Sequence, residues 1–82
     1  MPYYVYILQS LKDEKYYIGS TSDVAARLNF HNTGRQRSTK NRIPFRLVLF
    51  GQYESKAAAL KREKQIKSGK GGEAFQKLIA GK

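Results

Sequence analysis

The sequence predicts an α+β domain: a three-stranded antiparallel sheet flanked by helices, with its elements in the order ββαβαα. Three short runs rich in aromatic and β-branched residues, each bounded by polar turn residues, predict the strands. Segments with apolar residues three and four apart predict the helices. A chain of 82 residues has room for one modest core, so residues 1–82 are predicted to form a single domain.

The first two strands are predicted to form a hairpin. The first run covers Tyr3–Gln9, the second covers Tyr16–Ser20, and the charged residues 12–15 make the turn between them. Because side chains alternate along a strand, Tyr4 and Tyr6 are expected on the same face of the sheet. Most of the hairpin tyrosines are expected to pack in the core or across strands. A nearby cation can nevertheless lower the pKa of a phenol from about 10 and make it a proton carrier.

A helix, a loop and the third strand follow the hairpin. The polar run Thr21-Ser22-Asp23 supplies capping side chains for a helix that begins at Val24 and ends near Thr33-Gly34. Residues 35–44 combine basic and small polar residues with a proline, which predicts an exposed basic loop. The run Phe45–Tyr53, rich in Phe, Leu and Val, predicts the third strand.

Two helices close the predicted fold. Ser55 is placed to cap a helix that continues to about Lys67. The glycine-rich residues 68–72 predict a break, and Glu73–Ala80 predicts a short closing helix.

The composition excludes several classes of protein and site. The chain has no cysteine and one histidine, which excludes disulfides, zinc–thiolate centres, thiol nucleophiles and poly-histidine metal sites. Apolar runs such as Leu47–Phe50 are far too short to span a membrane, and the first residues lack the pattern of a signal peptide. A cytoplasmic protein without a membrane partner is therefore expected.

The charge of the chain is large and unevenly distributed. Sixteen Lys and Arg residues against six Asp and Glu residues give +10 at pH 7. Residues 1–26 hold two basic and three acidic side chains, for −1, whereas residues 27–82 hold fourteen basic and three acidic ones, for +11. Such an excess predicts a polyanionic partner and binding that weakens with salt. The alternative is a small protein kept soluble by its lysines.

Two polar residues are expected at the edge of the apolar stripe of the first helix. Val24, Leu28 and His31 follow helical spacing, and Arg27 precedes His31 by four residues. Charged Arg and His side chains repel each other unless they share an anion such as a phosphate. The alternative is a boundary arginine that reaches water beside a neutral core histidine.

The second helix is predicted to carry a carboxylate on its apolar stripe. Leu60, Glu63 and Ile66 lie three residues apart, which places Glu63 on the side that faces the core. An inward carboxylate is costly unless a positive charge meets it. A metal ion would supply that charge, and so would a structural salt bridge with Arg62 or Arg27.

Together these residues resemble the ordered motifs of the GIY-YIG nuclease family. The resemblance runs from about Tyr4 to Ile66. Within the family, the chain resembles short stand-alone bacterial members that are related to the nuclease module of a nucleotide-excision DNA repair endonuclease. The matching motifs are Tyr4-Val5-Tyr6, Tyr17-Ile18-Gly19, Gly19-Ser20-Thr21, Arg27, Leu28, His31, Gly34 and Glu63. The first motif departs from the family pattern, because Tyr4 stands where the family has glycine.

The resemblance implies a metal-dependent endonuclease that hydrolyses phosphodiester bonds by in-line attack of water. It implies that Glu63 is the sole protein ligand of one Mg²⁺ or Mn²⁺ ion, which keeps much of its water. It implies that Tyr17, with Tyr6 nearby, orients or deprotonates the attacking water, and that Arg27 stabilises charge on the phosphate. His31 would relay a proton or bind phosphate. Gly19 would mark a bend or a close approach of substrate.

The expected partner is nucleic acid, with DNA favoured over RNA and little sequence specificity. The alternative to an endonuclease is a basic nucleic-acid-binding module that keeps this fold without turnover. In both cases phosphate contacts are expected from cations of the loop and the second helix. These candidates are Arg35, Arg37, Lys40, Arg42 and Lys64.

Overall fold

A computed structural model describes residues 2–37, 39–70 and 72–80 of the chain. The predicted order ββαβαα and the α+β class are confirmed, and the bounds of the strands and helices match the predicted ones to within two residues. The elements are β1 (Tyr3–Ser10), β2 (Tyr16–Thr21), α1 (Val24–Asn32), a short 3₁₀ turn (Lys40–Arg42), β3 (Phe45–Tyr53), α2 (Lys56–Ser68) and α3 (Glu73–Ala80).

The sheet is antiparallel, with strand order β2-β1-β3. β1 is central because it is apolar on both faces, and its residues 5–8 are all buried. Tyr6 is paired with Gly19 on β2 and with Phe50 on β3. The register with β3 shifts between Ile7 and Leu8, which leaves one extra residue of β3 at a bulge.

Two apolar cores lie on opposite faces of the sheet. Helix α1 packs with the face that carries Tyr6, whereas α2 and α3 pack with the other face. The buried residues on the α1 side are Tyr6, Leu8 and Phe45. Those on the α2 and α3 side are Val5, Ile7, Ile18, Val48, Ala59, Ile66 and Phe75. The alternation of β1 therefore fixes which tyrosine faces α1.

Side-chain hydrogen bonds fix the helices at their ends. The Asp23 carboxylate accepts a hydrogen bond from the backbone N–H of Ala26, and the Ser55 hydroxyl accepts one from Ala58, so both predicted N-caps are confirmed. At the end of α1 the Asn32 side chain accepts from the backbone N–H of Phe45 and donates to its carbonyl. This amide joins α1 directly to the start of β3.

The predicted basic loop at residues 35–44 is exposed at Arg35, Arg37 and Lys40, but it also contains a buried residue. Thr39 is 1% exposed and directly precedes the turn made by Lys40–Arg42. Its hydroxyl has a buried hydrogen-bond partner on α1, which compensates for the loss of water around it. Within the described ranges, none of the helices combines the length and hydropathy needed to cross a bilayer.

Candidate active site

The site begins where the Tyr6 phenol crosses over Gly19. A Cβ atom built on Gly19 would lie 2.5 Å from the phenol oxygen of Tyr6 and 2.7 Å from its Cζ atom. Gly19 lies within β2 and has no positive φ, so of the two expectations for this glycine the geometry fits a close approach. The close approach is made by the ring of Tyr6, and any larger side chain at position 19 would displace it.

A directed chain of hydrogen bonds holds Tyr6 in this position. The Tyr6 hydroxyl is 3.2 Å from Nε2 of His31, and Nδ1 of His31 is 3.0 Å from the Thr39 hydroxyl oxygen. The Thr39 hydroxyl donates its own proton to the carbonyl of Gln36. Thr39 must therefore accept from Nδ1–H, which makes Nε2 of His31 the acceptor for the Tyr6 proton.

His31 is a neutral histidine in this site. His31 is fully buried, and its pKa is lowered from 6.5 to about 4. Burial is the larger cause, and the nearby positive charge of Arg27 is the smaller one. Both ring nitrogens are already engaged by Tyr6 and Thr39. Of the two interpretations of the Arg27–His31 pair, the structure fits the neutral core histidine, and it leaves no ring nitrogen of His31 free to share an anion with Arg27.

The Tyr6 phenol keeps its proton. Burial raises the pKa of Tyr6 above its ordinary value of 10, and the approach of the Arg27 guanidinium only partly opposes that rise. The negative charge of Glu63 also acts to raise the pKa of Tyr6, which places that carboxylate within electrostatic range of the phenol. Tyr6 is thus a buried, hydrogen-bonded support for the site. Its neighbour Tyr17 is only half-buried.

Tyr17 lies on the same face as Tyr6 and packs against the same histidine. Its ring centroid is 4.7 Å from that of His31 and 6.4 Å from that of Tyr6. Because Tyr6 is 1% exposed, Tyr17 is the phenol of the pair that water and substrate can reach. The two tyrosines predicted from the motifs therefore lie together but in unequal environments.

Arg27 presents an unpaired donor at this site. Its guanidinium carbon is 4.5 Å from the ring centroid of Phe30, which holds the side chain against α1. Its Nε is buried and has no hydrogen-bond partner among the described residues. A buried N–H without a partner is costly, and an anionic oxygen would remove that cost. Arg27 lines an open groove together with Thr21, Ser22, Asp23, Ala26, Asn29, Phe30 and Arg35.

Glu63 is partly buried on α2 and forms an ion pair with an exposed lysine. Its side chain is 16% exposed, and Oε2 is 2.7 Å from Nζ of Lys67, whose side chain is 53% exposed. The prediction that Arg62 or Arg27 would form the salt bridge was wrong. The partner is the residue one turn further along α2, and Arg62 instead donates to Gln65.

The donor set at Glu63 fits a strongly hydrated divalent ion. Across residues 2–37, 39–70 and 72–80 there is no cluster of three or more His, Cys, Asp or Glu side chains that could enclose a metal. A single carboxylate suits Mg²⁺ or Mn²⁺, which retain several waters and also take phosphate oxygens as ligands. Glu63 is the residue that would hold such an ion, after its Lys67 partner has turned away.

The predicted phosphate-binding cations divide into two groups. Four are exposed: Arg35, Arg37, Lys40 and Lys64. Arg42 differs, because its Nε lies 3.0 Å from Oδ2 of Asp13 and its guanidinium lies over the ring of Phe45 at 5.5 Å. The charge of Arg42 is thus already matched within the protein.

Two residues of the site were not predicted from the sequence. Thr39 looks like any small polar residue of a loop, and no local pattern links it to His31 eight positions earlier. Phe30 falls on α1 beside the predicted stripe, and its contact with Arg27 could have been anticipated from their i, i+3 spacing.

The chain is similar to several known proteins. The family model for the GIY-YIG catalytic domain matches residues 2–74. A UPF0213 protein of Haloquadratum walsbyi is 43% identical over 67 residues, covering 80% of this chain and 74% of that protein. One of Staphylococcus haemolyticus is 42% identical over 67 residues and covers 80% of each chain. The solution structure of a UPF0213 protein from Bacillus halodurans aligns with a TM-score of 0.63 at 36% identity, covering 100% of this chain and 86% of that one.

Proposed function

The chain belongs to the GIY-YIG catalytic domain family, and on that premise we propose that it is a metal-dependent endonuclease that hydrolyses phosphodiester bonds in DNA. Residues 1–82 act as one catalytic domain in this proposal. Nucleic acid as the partner follows from family membership and from the +10 charge of the chain. Low sequence specificity is proposed because so small a domain has little surface for reading bases.

The observation that carries the proposal is the buried Nε–H of Arg27. This N–H has no hydrogen-bond partner among the described residues, and the guanidinium acts on the Tyr6 phenol through a hydrogen bond and through its charge. A phosphate oxygen supplies the acceptor that this donor lacks, and its charge matches that of the guanidinium. Arg27 therefore holds the scissile phosphate and stabilises the charge that builds on its oxygens.

Tyr17 orients the attacking water in this proposal. It is the accessible phenol, and Tyr6 and His31 form the wall against which its ring is packed. Tyr6 does not act as the base, because its proton is directed to His31 and its pKa is raised. The role of Tyr6 and His31 is to fix the positions of Tyr17 and Arg27 relative to the phosphate.

Glu63 is the residue that would hold one Mg²⁺ or Mn²⁺ ion. When bound, the ion supplies Lewis-acid stabilisation of the phosphate and of the leaving oxygen. Glu63 contributes a partly buried carboxylate, so its charge is less screened than that of a surface carboxylate. Because Lys67 is 53% exposed, water would solvate its ammonium group if a divalent ion took its place at Glu63.

The second candidate is a basic DNA-binding module without turnover. The ion pair between Glu63 and Lys67 favours it, because a carboxylate that stays paired with lysine cannot hold a metal. In that case the exposed cations at positions 35, 37 and 40 would bind phosphates and no bond would be cut.

A cleavage assay separates the two functions. Purified protein is incubated with supercoiled plasmid, single-stranded DNA or RNA in Mg²⁺, Mn²⁺ or EDTA, and binding is measured on the same substrates. We expect metal-dependent cutting of DNA, with binding but no cutting in EDTA. Binding of every substrate without cutting in either metal would support the module and contradict the nuclease.

A further inference from the structure

We infer that Tyr4 and Phe50 form a stacking site for an unpaired base of a DNA strand whose phosphate is held at Arg27. This inference rests on the proposed function and specifies its substrate: DNA that offers single-stranded nucleotides at the site. The two rings make an edge-to-face pair, with centroids 6.0 Å apart at an interplanar angle of 70°.

The position of the pair relates it to the site. Phe50 is the β3 partner of Tyr6, and Tyr4 lies two residues before Tyr6 on β1, so both rings lie on the sheet face that carries the phenols. Tyr6 is covered by α1, whereas Phe50 is 54% exposed. The part of this sheet face that α1 leaves uncovered therefore begins at Phe50, directly beside the buried Tyr6.

A continuous surface joins the pair to the cationic groove. Thr21 lines the groove that contains Arg27 and Arg35, and it is also the β2 partner of Tyr4. The β3 partner of Tyr4 is Gln52, which is exposed. Neighbouring partners in an antiparallel sheet are about 5 Å apart. A strand whose phosphate lies in the groove thus passes Thr21 and reaches the aromatic pair one or two strands further across the sheet.

The chemistry of this surface suits an unpaired base and not a duplex. Surfaces that combine cations with aromatic rings bind single strands, because the cations contact phosphates and every base has a face that can stack on a ring. In a duplex those faces are already stacked on neighbouring bases. The other large apolar side chains that are strongly exposed in the described residues are Leu11 and Leu60, neither of which is aromatic. Phe50 is therefore distinguished from them by both its ring and its place beside the site.

The test compares single-stranded DNA with a duplex of the same sequence in EDTA, so that binding is measured without cleavage. We expect Phe50→Ala to weaken binding of the single strand by about tenfold and to leave duplex binding unchanged. Phe50→Trp is expected to retain binding of the single strand. Leu60→Ala, which removes a similarly exposed apolar side chain from α2, is the matched control and should change neither affinity. Circular dichroism and thermal melting verify that each variant is folded.

Three results would overturn the stacking site. They are an equal loss of single-strand and duplex binding in Phe50→Ala, no loss in either, and full single-strand binding by Phe50→Leu. A loss confined to single-stranded RNA would overturn the assignment to DNA. If Phe50-dependent binding is found but the wild-type protein cuts nothing in Mg²⁺ or Mn²⁺, the nuclease proposal fails and the stacking site stands. If cutting is found without any effect of Phe50, the stacking site alone fails.

A second inference, carried by the buried hydrogen bonds, assigns Thr39 as a positioning residue. Thr39 accepts from Nδ1–H of His31 because its own proton is given to the Gln36 carbonyl. That arrangement selects the tautomer in which Nε2 receives the Tyr6 proton. The basic loop that carries Arg35, Arg37 and Lys40 is thereby connected through two buried side chains to the scaffold of the site.

The test replaces Thr39 by its isostere valine and by serine. The tautomer of His31, the only histidine of the chain, is read from its ring ¹⁵N chemical shifts, and cutting is measured at saturating protein. We expect Thr39→Val to lose the pure Nδ1–H tautomer and to slow cutting by roughly tenfold or more without weakening DNA binding. Thr39→Ser should restore both properties. A Thr39→Val variant with the wild-type tautomer and rate would overturn the assignment, and the tautomer decides the matter even if no substrate is cut.

Discussion

The phenol of Tyr6 occupies the space that a Cβ atom on Gly19 would fill. They are cross-strand partners on β2 and β1, and a Cβ atom at Gly19 would fall 2.5 Å from the Tyr6 oxygen. The absence of a side chain at position 19 is therefore a condition for the hydrogen bond from Tyr6 to His31.

The first prediction concerns Gly19→Ala. The added methyl group must push the Tyr6 ring from its place, which should cost about 1–3 kcal/mol of unfolding free energy and slow DNA cutting. Urea unfolding and a nicking assay measure the two effects. Gly51→Ala is the matched control in the same sheet. A Cβ atom on Gly51 would lie 3.6 Å or more from its nearest neighbours, which are atoms of the Tyr53 side chain, so nothing has to move. Equal stability and activity in Gly19→Ala and the wild type would show that the position of the phenol is not set by this glycine.

The second prediction concerns acid pH. Because burial and Arg27 lower the pKa of His31 to about 4 in the folded state, the unfolded chain binds a proton near pH 6.5 that the folded chain does not bind. Stability should therefore fall as the pH decreases from about 6.5 to about 4, by about 3 kcal/mol in total, and this contribution should level off below pH 4.

Urea unfolding at a series of pH values measures this dependence, and His31→Gln should remove most of it. Asp13 also has a lowered pKa, chiefly because the backbone N–H of Lys15 donates to it, but its contribution is lost below its ordinary value of 3.8. A stability that rises as the pH decreases through 6 would mean that His31 is charged in the folded protein.

The third prediction separates the charge of Arg27 from its geometry. Arg27→Lys keeps a positive charge but loses the planar guanidinium and its unpaired Nε–H. We expect cutting to slow by roughly 10²-fold, with little change in DNA affinity. Arg35 lines the same groove, so Arg35→Lys serves as the control. This variant should keep both the cutting rate and the DNA affinity of the wild type. An Arg27→Lys protein with the wild-type cutting rate would remove Arg27 from the chemistry.

The fourth prediction ranks the basic side chains by their freedom to bind phosphate. Arg37→Ala or Lys40→Ala should weaken DNA binding and lower the salt slope by about one counterion each. Arg42→Ala should lower it less, because Arg42 is paired with Asp13. Cutting at saturating protein should be intact in the Arg37 and Lys40 variants. Salt slopes that are the same in all three variants and the wild type would exclude this loop from the binding surface.

Local rules account for most of the fold, and they fail where the site depends on distant contacts. The caps at Asp23 and Ser55 and the alternation of β1 follow from short sequence patterns, so the element order could be predicted. The motifs also identified Tyr6 and Tyr17, which do lie together.

The remaining features of the site depend on contacts between residues far apart in the sequence. Whether His31 meets an anion or Thr39 depends on how the loop folds back over α1, and helical spacing contains no information about that. The same holds for Glu63, since spacing shows that a carboxylate faces inward but does not show which cation meets it.

Glu63 provides the most direct measurement of the proposed function. Cutting of a labelled DNA strand is followed under single-turnover conditions in Mg²⁺, at saturating protein, for the wild type, Glu63→Gln and Glu54→Gln. The control removes the same charge from an exposed glutamate just before α2. We predict that Glu63→Gln cuts roughly 10²-fold or more slowly while its DNA affinity is retained, and that Glu54→Gln cuts like the wild type. Cutting by Glu63→Gln at the wild-type rate, or wild-type cutting that persists in EDTA, would contradict a metal-dependent site at this carboxylate.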